Sequence, residues 1–154
     1  MTNLFGKMEE GFDYKIRRGV YAVIFNIEKN LLLTVRNPEG MYFLPGGGMK
    51  KNEAFHCCLI REVLEETGYS IVIGDFIGHA QQYFFSRKNE PFLGDAYFYL
   101  AELLEKRHEP IEKDHFLSWI EIEEAQNVLL HDYHRWAVGE VLRRLSIATK
   151  TLDN

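Results

Sequence analysis

From Val20 to Ile27 the sequence reads VYAVIFNI, apolar at nearly every position whichever way the residues alternate. A strand with one face in water alternates apolar with polar residues, so a strand apolar on both faces must be covered on both. The segment Tyr14 to Ile27 therefore predicts a central strand, and the rest of the chain has to supply a packed layer on each side of it. LLLTVR follows the Glu28-Lys29-Asn30 turn as a second strand. MYFL is a short third, ending at Pro45, whose ring fixes the exit of the chain. YSIVIGDFIG, AQQYFF, AYFYLAELL and FLSWIE read as further strands.

Two segments of helical period provide cover. The first is predicted to start near Asn52, as N-cap, with Glu53 in the first turn where the helix dipole favours an anion, and to stop at Thr67-Gly68. The second places Tyr133, Ala137, Val141, Leu145 and Ala148 at spacings of three and four, the pattern of a C-terminal amphipathic helix. Strands with two helices predict a sheet sandwiched between helical layers, of the α/β (α+β) class. With 154 residues, 46% of them hydrophobic, and no repeat or linker, the chain is expected to form one domain over residues 1–154.

The formal net charge of −5, with no run of lysine or arginine, argues against a polynucleotide-backbone binder, whose affinity comes from neutralising many phosphates. A small anionic ligand remains compatible if another group supplies positive charge. Cys57 and Cys58 are adjacent, which defeats disulfide geometry, and they read as core thiols of a reducing compartment. The mixed N-terminus and the lack of any run of eighteen apolar residues lead to the expectation of a cytoplasmic protein with no membrane span. No feature sets the oligomeric state, and a homodimer stays open.

The first helix carries an electrostatic oddity. At about 100° per residue, with Phe55 at zero, Glu62, Glu65 and Glu66 fall at roughly 340°, 280° and 20°, on one edge. Phe55, Leu59 and Val63 occupy the neighbouring sector; Cys57, Ile60 and Leu64 lie further round, which predicts packing on more than one side. Like charges three and four residues apart repel, and the dipole at a helix C-terminus disfavours anions by a few tenths to about 1 kcal/mol. Arg61 offsets part of this. A bound Mg²⁺ or Mn²⁺ would remove the remainder, since these hard ions prefer oxygen ligands; a solvated acidic helix edge is the plainer alternative.

The surrounding residues decide between them. From Gly47 the sequence reads G-x5-E-x7-R-E-V-L-E-E-T-G-Y, with Gly47, Glu53, Arg61, Glu62, Glu65, Glu66 and Gly68 in place. This resembles the signature of the Nudix hydrolases, the family that includes MutT-like enzymes, at all seven fixed positions. At about 7% per residue type, seven coincidences arise by chance on the order of 10⁻⁸ per starting position. The resemblance implies an α/β/α sandwich with a mixed central sheet. It also implies a metal-dependent hydrolase that cleaves a nucleoside diphosphate linked to another group, acting on a small nucleotide or diphosphate substrate. It implies further that Glu62, Glu65 and Glu66 hold a divalent metal, Mg²⁺ or Mn²⁺, joined by the carbonyl of Gly46, and that Arg61 orients a glutamate. Lys50 and Asn52 depart from residues frequent in the family, an acid and a glycine, which bears on loop conformation.

Such enzymes draw a further acid from a loop before a late strand; within EPIEKDHFLSW the expectation falls on Glu112, ahead of Glu109 and Asp114, with Asp95 as a lower-ranked candidate. The catalytic set is thus Glu62, Glu65, Arg61 and Glu112. Glu53 is given a structural role only, because eight helical residues would put it about 12 Å from Arg61 along the axis. His131 and His134, three apart, are a weak zinc signal and read as cap or surface residues. Arg17, Arg18 and Arg36 could meet phosphates, though solvated or paired roles are the plainer reading; Tyr83, Phe84 and Phe85 could stack on a base, though an aromatic cluster in a strand more often reads as core. A non-hydrolysing binding or sensor domain is the competing class. Such a domain should lose the mutually repelling carboxylates, and all are present. Nothing in the sequence selects among oxidised nucleoside triphosphates, dinucleoside polyphosphates, nucleotide sugars or ADP-ribose.

Overall fold

The central strand lies where its two-faced apolar pattern places it. In the computed structural model, which describes residues 3–111 and 113–152, with side chains through residue 148, strand β2 (Lys15–Ile24) is flanked on both sides by paired strands and covered on both faces. In chain order follow β3 (Leu31–Arg36), β4 (Tyr42–Phe43), β5 (Gly46–Gly48), helix α1 (Phe55–Thr67), β6 (Tyr69–Phe85), β7 (Pro91–Lys106), β8 (Phe116–Glu121), a 3₁₀ turn, short helix α2 (Ala125–Val128) and helix α3 (Asp132–Leu152), all preceded by β1 (Asn3–Phe5).

The strands form a mixed five-stranded sheet in the order β1-β6-β7-β2-β5 and a three-stranded sheet β4-β3-β8. β2 runs parallel to β7 and antiparallel to β5, while β6 and β7 form a long antiparallel pair. Alternation along β2 sends Val20, Ala22 and Ile24 into a core with Cys58, Leu59 and Val63 of α1. Val23 enters the opposite core with Phe98 of β7 and Tyr133, Ala137 and Val141 of α3. The α/β/α sandwich expected from the sequence is therefore present, with a second sheet beside it. No helix among the described residues is long and apolar enough to cross a membrane.

Four local expectations need correction. The strands anticipated at 69–78 and 80–85 are one, β6, whose register shifts between Tyr69 and Gly78; such bulges bend a strand without ending it. β1 carries too few residues to show a period, and it gains its strand geometry by pairing with Ala80–Gln82. Helix α1 begins at Phe55, because Asn52 has φ +62°, incompatible with an N-cap, and Ala54 takes that position with no side-chain bond. Cys57 and Ile60 are exposed, so α1 buries a single flank. At its other end Gly68 terminates the helix as anticipated, in a left-handed conformation with its N–H donated to the Leu64 carbonyl at 2.8 Å.

Candidate active site

β5 consists wholly of glycine, and the reason is spatial. It runs antiparallel to β2, Gly46 opposite Tyr21, and lies between that strand and α1. Gly46 has φ +143°, and a Cβ there would stand 2.6 Å from the Tyr21 Cα, so no larger residue fits without moving backbone. Its N–H donates to Glu66 Oε1 at 2.8 Å. Gly47 is pressed against Glu62: an added Cβ would lie 2.5 Å from the carboxyl carbon. The glycine strand is thus the wall against which two of the three helix carboxylates rest.

Arg61 organises the third side. Its Nε donates to Glu53 Oε2 at 2.7 Å and its Nη2 to Glu53 Oε1 at 2.9 Å, a forked pair. Nη2 also reaches the Gly48 carbonyl at 3.1 Å, while Nη1 donates to Glu62 Oε1 at 2.9 Å and approaches Glu65 at 3.4 Å. The expectation that Glu53 lies too far from Arg61 is overturned. That argument assumed a helix continuous through residue 53, whereas the chain before Phe55 folds back through the Lys50–Glu53 turn and brings the carboxylate over the guanidinium. Hydrogen bonds from Arg61, then from the Lys50 N–H, hold the Glu53 carboxyl down at about 2. Those to Glu53, ahead of Glu62, push the Arg61 guanidinium further up. The Cys58 thiol beneath is pushed up to about 12, chiefly by burial, and stays protonated.

Three carboxylates, Glu53, Glu62 and Glu65, therefore gather around one guanidinium, and Glu66 stands apart, held by the Gly46 N–H. Glu66 is the most buried, its side chain 8% exposed against 31% for Glu65, and His115 Nδ1 stands 3.4 Å from Glu66 Oε2. Glu62, Glu66 and the glycine strand line a common cleft, whereas Glu65 faces Arg61 at its edge. Among the described residues no three histidine, cysteine or acidic side chains already form a metal cage. The donor chemistry nonetheless fits a hard divalent cation, since every acidic group here offers oxygen and the thiol nearby is protonated.

Glu112 lies outside the described residues. The segment leading to it is fastened to the carboxyl end of α1, with Arg107 N–H donated to the Gly68 carbonyl at 2.7 Å and Ile111 N–H to that of Glu65 at 2.9 Å. Glu109 is exposed and pairs with Lys106. Asp95 is drawn away from the cleft by Arg18, His79 and Gln81. Burial raises its carboxyl, but the bonds from His79, Arg18 and Gln81 outweigh that and leave it lowered. Arg17 lines the cleft, stacked 5.3 Å from the Phe92 centroid, while Arg36 stacks on Phe116.

The cleft extends well beyond the carboxylates, to about 1530 Å³, and its far wall was missed in the sequence. His134 is buried rather than a surface or cap residue, with Nδ1 accepting the Leu44 N–H at 3.1 Å. His131 is largely enclosed between Phe43 and Phe84, at centroid distances of 5.5 and 4.9 Å, and burial, with Arg135 and Arg17, lowers it to about 4. Phe84 and Phe85 line this wall instead of the core. The spacing of three between the two histidines and the aromatic run Tyr83-Phe84-Phe85 were its sequence signals.

Known proteins resemble this chain in sequence and in fold. Over 77 residues the chain is 31% identical to a candidate 8-oxo-dGTP diphosphatase of Bacillus subtilis (strain 168), covering 50% of this chain and 52% of that one, so the match spans about half of that relative's length. It is 28% identical over 120 residues to a diphosphoinositol polyphosphate phosphohydrolase 3-beta of Bos taurus, covering 76% of this chain and 68% of the relative. A NUDIX hydrolase structure from Nitrosomonas europaea superposes with a TM-score of 0.68 at 20% identity, over 84% of this chain and 90% of the other, and so shares the fold. The NUDIX domain family model matches residues 15–145, spanning the glycine strand, the Arg61 clamp and the carboxylate helix: the chain belongs to the NUDIX domain family.

Proposed function

We propose that this protein is a divalent-metal-dependent pyrophosphohydrolase that cleaves the diphosphate bond of a nucleoside diphosphate linked to another group, by attack of water at phosphorus. The observation that carries the reading is the packing of Glu62 and Glu66 against the glycine strand, with Arg61 shared among Glu53, Glu62 and Glu65. Mutual repulsion of this kind destabilises a helix unless a cation is part of the working state.

Glu62, Glu65 and Glu66, with the Gly46 carbonyl, are the proposed ligands, and Mg²⁺ is the proposed ion, with Mn²⁺ as a substitute. When bound, it would neutralise phosphate oxygens and lower the pKa of a water. The chain's own contribution is positional. The Gly46 N–H fixes one oxygen of Glu66, leaving the other toward His115 and the cleft. Arg61, anchored through the Glu53 fork, keeps Glu62 and Glu65 from splaying apart. A carboxylate must also accept the proton of the attacking water; Glu65, the most accessible of the three helix carboxylates, and Glu112 are the proposed acceptors. The 8-oxo-dGTP and diphosphoinositol relatives place phosphoanhydride chemistry among the family's activities, which supports the reaction class.

The test is product release from a panel of nucleoside triphosphates, dinucleoside polyphosphates, nucleotide sugars and ADP-ribose, with and without Mg²⁺. Metal-dependent release from at least one is expected. Tight ligand binding without turnover on any of them would overturn the proposal in favour of a binding domain.

A further inference from the structure

His134 is a polar ring in an apolar place. It is 1% exposed, with the rings of Tyr21, Tyr133 and Phe98 at centroid distances of 4.7, 5.1 and 5.9 Å, and its Nε2 has no partner among the described residues. A buried nitrogen left unmet costs free energy that an apolar ring of the same shape would not. What the imidazole adds at this position is a single contact: Nδ1 accepts the Leu44 N–H at 3.1 Å. A backbone N–H can only donate, so the ring is neutral and carries its proton on Nε2.

That contact lies just ahead of the glycine strand. The first turn of α3 is itself fixed, with the Tyr133 N–H donated to Gln82 Oε1 at 3.0 Å, and the chain before it pairs with β4 through the Leu130 N–H and the Tyr42 carbonyl at 3.0 Å. Tyr42 and Leu44 are two apart and face the same edge of the extended chain, so His134 supplies the acceptor that continues this pairing. Beyond Leu44 the Pro45 carbonyl accepts the Ala22 N–H at 2.9 Å, toward β2, and the backbone groups alternate from there. Gly46 therefore directs its N–H and its C=O to the other edge, where the N–H meets Glu66; Gly48 faces the same way, and its carbonyl meets Arg61. Three glycines have no side chains to hold this direction, and glycine has the widest backbone freedom. The ring of His134 also lies against that of Tyr21, which backs Gly46: an added Cβ there would stand 2.8 Å from the Tyr21 ring.

We propose that His134 is a positioning residue of the metal site: by holding Leu44 it fixes the approach to Gly46, and so the direction of the Gly46 carbonyl toward the carboxylates of α1. The inference rests on reading that carbonyl and those carboxylates as metal ligands. Because the ring is only 1% exposed, its effect passes through the backbone of residues 44–46 and not through contact with a ligand. A metal needs its oxygens at set distances, and partners one step behind the ligands alter metal affinity by about 10- to 100-fold. A role in packing alone would lower the melting temperature and leave metal binding to the folded protein unchanged.

Titration of the whole protein with Mn²⁺, followed by electron paramagnetic resonance with no substrate present, tests this alongside the melting temperature of each metal-free variant. His134→Phe keeps a flat ring against Tyr21 and removes the acceptor, and its Mn²⁺ Kd is expected to rise about tenfold or more. His134→Leu should match it, and replaces it if the larger ring prevents folding. His134→Asn puts an amide oxygen where Nδ1 stands and should bind Mn²⁺ within about threefold of wild type. Val138→Ala, a cavity in the core under the same helix, should lower the melting temperature with Mn²⁺ affinity unchanged. Wild-type affinity in the Phe and Leu variants, an Asn variant as weak as they are, or an equal loss in Val138→Ala would overturn the positioning role. Hydrolysis separates this role from the reading it rests on. Metal-dependent turnover with unaltered Mn²⁺ affinity in His134→Phe removes the positioning role alone. Mn²⁺ binding that depends on His134, without turnover of any diphosphate, leaves the role standing and removes the hydrolase.

Discussion

Gly47→Ala isolates the position of one carboxylate from the stability of the fold. The new methyl would lie 2.5 Å from the Glu62 carboxyl carbon, where ordinary contact begins at 3.4 Å, so the carboxylate has to retreat by about 1 Å. The obstructing atoms are the far end of a flexible side chain, and Gly47 has no positive φ, so the melting temperature is expected to change by no more than a few degrees. A misplacement of that size at a reacting centre costs on the order of 10²-fold in kcat/KM, about 2.7 kcal/mol of transition-state stabilisation. The neighbouring Gly46→Ala is the contrast: its methyl meets the backbone of Val20 and Tyr21, so it should lower the melting temperature markedly. Steady-state hydrolysis and thermal unfolding of both variants, with metal in excess, give the readout. A stable Gly47→Ala protein with wild-type turnover would refute the claim that the wall of glycines sets the carboxylate's working position.

Other perturbations separate charge from shape. Glu66→Gln retains an oxygen for the Gly46 N–H, so its metal-free form should melt no lower than the metal-free parent while turnover falls by roughly 10³-fold or more; a large loss of stability would make Glu66 structural. Arg61→Lys cannot make the forked pair with Glu53 and reach Glu62 as well, and kcat should fall at least about tenfold, with Glu53→Gln producing a loss in the same direction. His131 is neutral in the folded protein down to about 4, whereas in the unfolded chain it takes a proton near 6.5. Stability is therefore lost as pH falls through that window, by about 2 kcal/mol between pH 7 and 5 from this ring alone. Urea unfolding at the two pH values should show a smaller loss for His131→Gln; an equal loss would assign the effect to other groups.

The contrast between what was legible and what was not follows from the range of the interactions. The two-faced strand at Val20–Ile24 and the capping Gly68 are local patterns, and each stands where the sequence puts it. Glu62, Glu65 and Glu66 share a helix, so their convergence could be read from a wheel. The Glu53–Arg61 fork was missed because Asn52 takes a left-handed conformation and reverses the chain, which no period records. The surroundings of His131 were illegible for a different reason: they join Phe43, Gln82 and Phe84 to it from separate parts of the chain, which only the fold brings together.

The most direct test of the account is a metal titration of chelator-treated protein, following release of nucleoside monophosphate from the best diphosphate substrate. Turnover should be absent without metal, rise saturably with Mg²⁺ or Mn²⁺, and stay absent in Glu66→Gln at concentrations that saturate the parent. Turnover that survives the chelator, or that responds to metal equally in the parent and in Glu66→Gln, would contradict it.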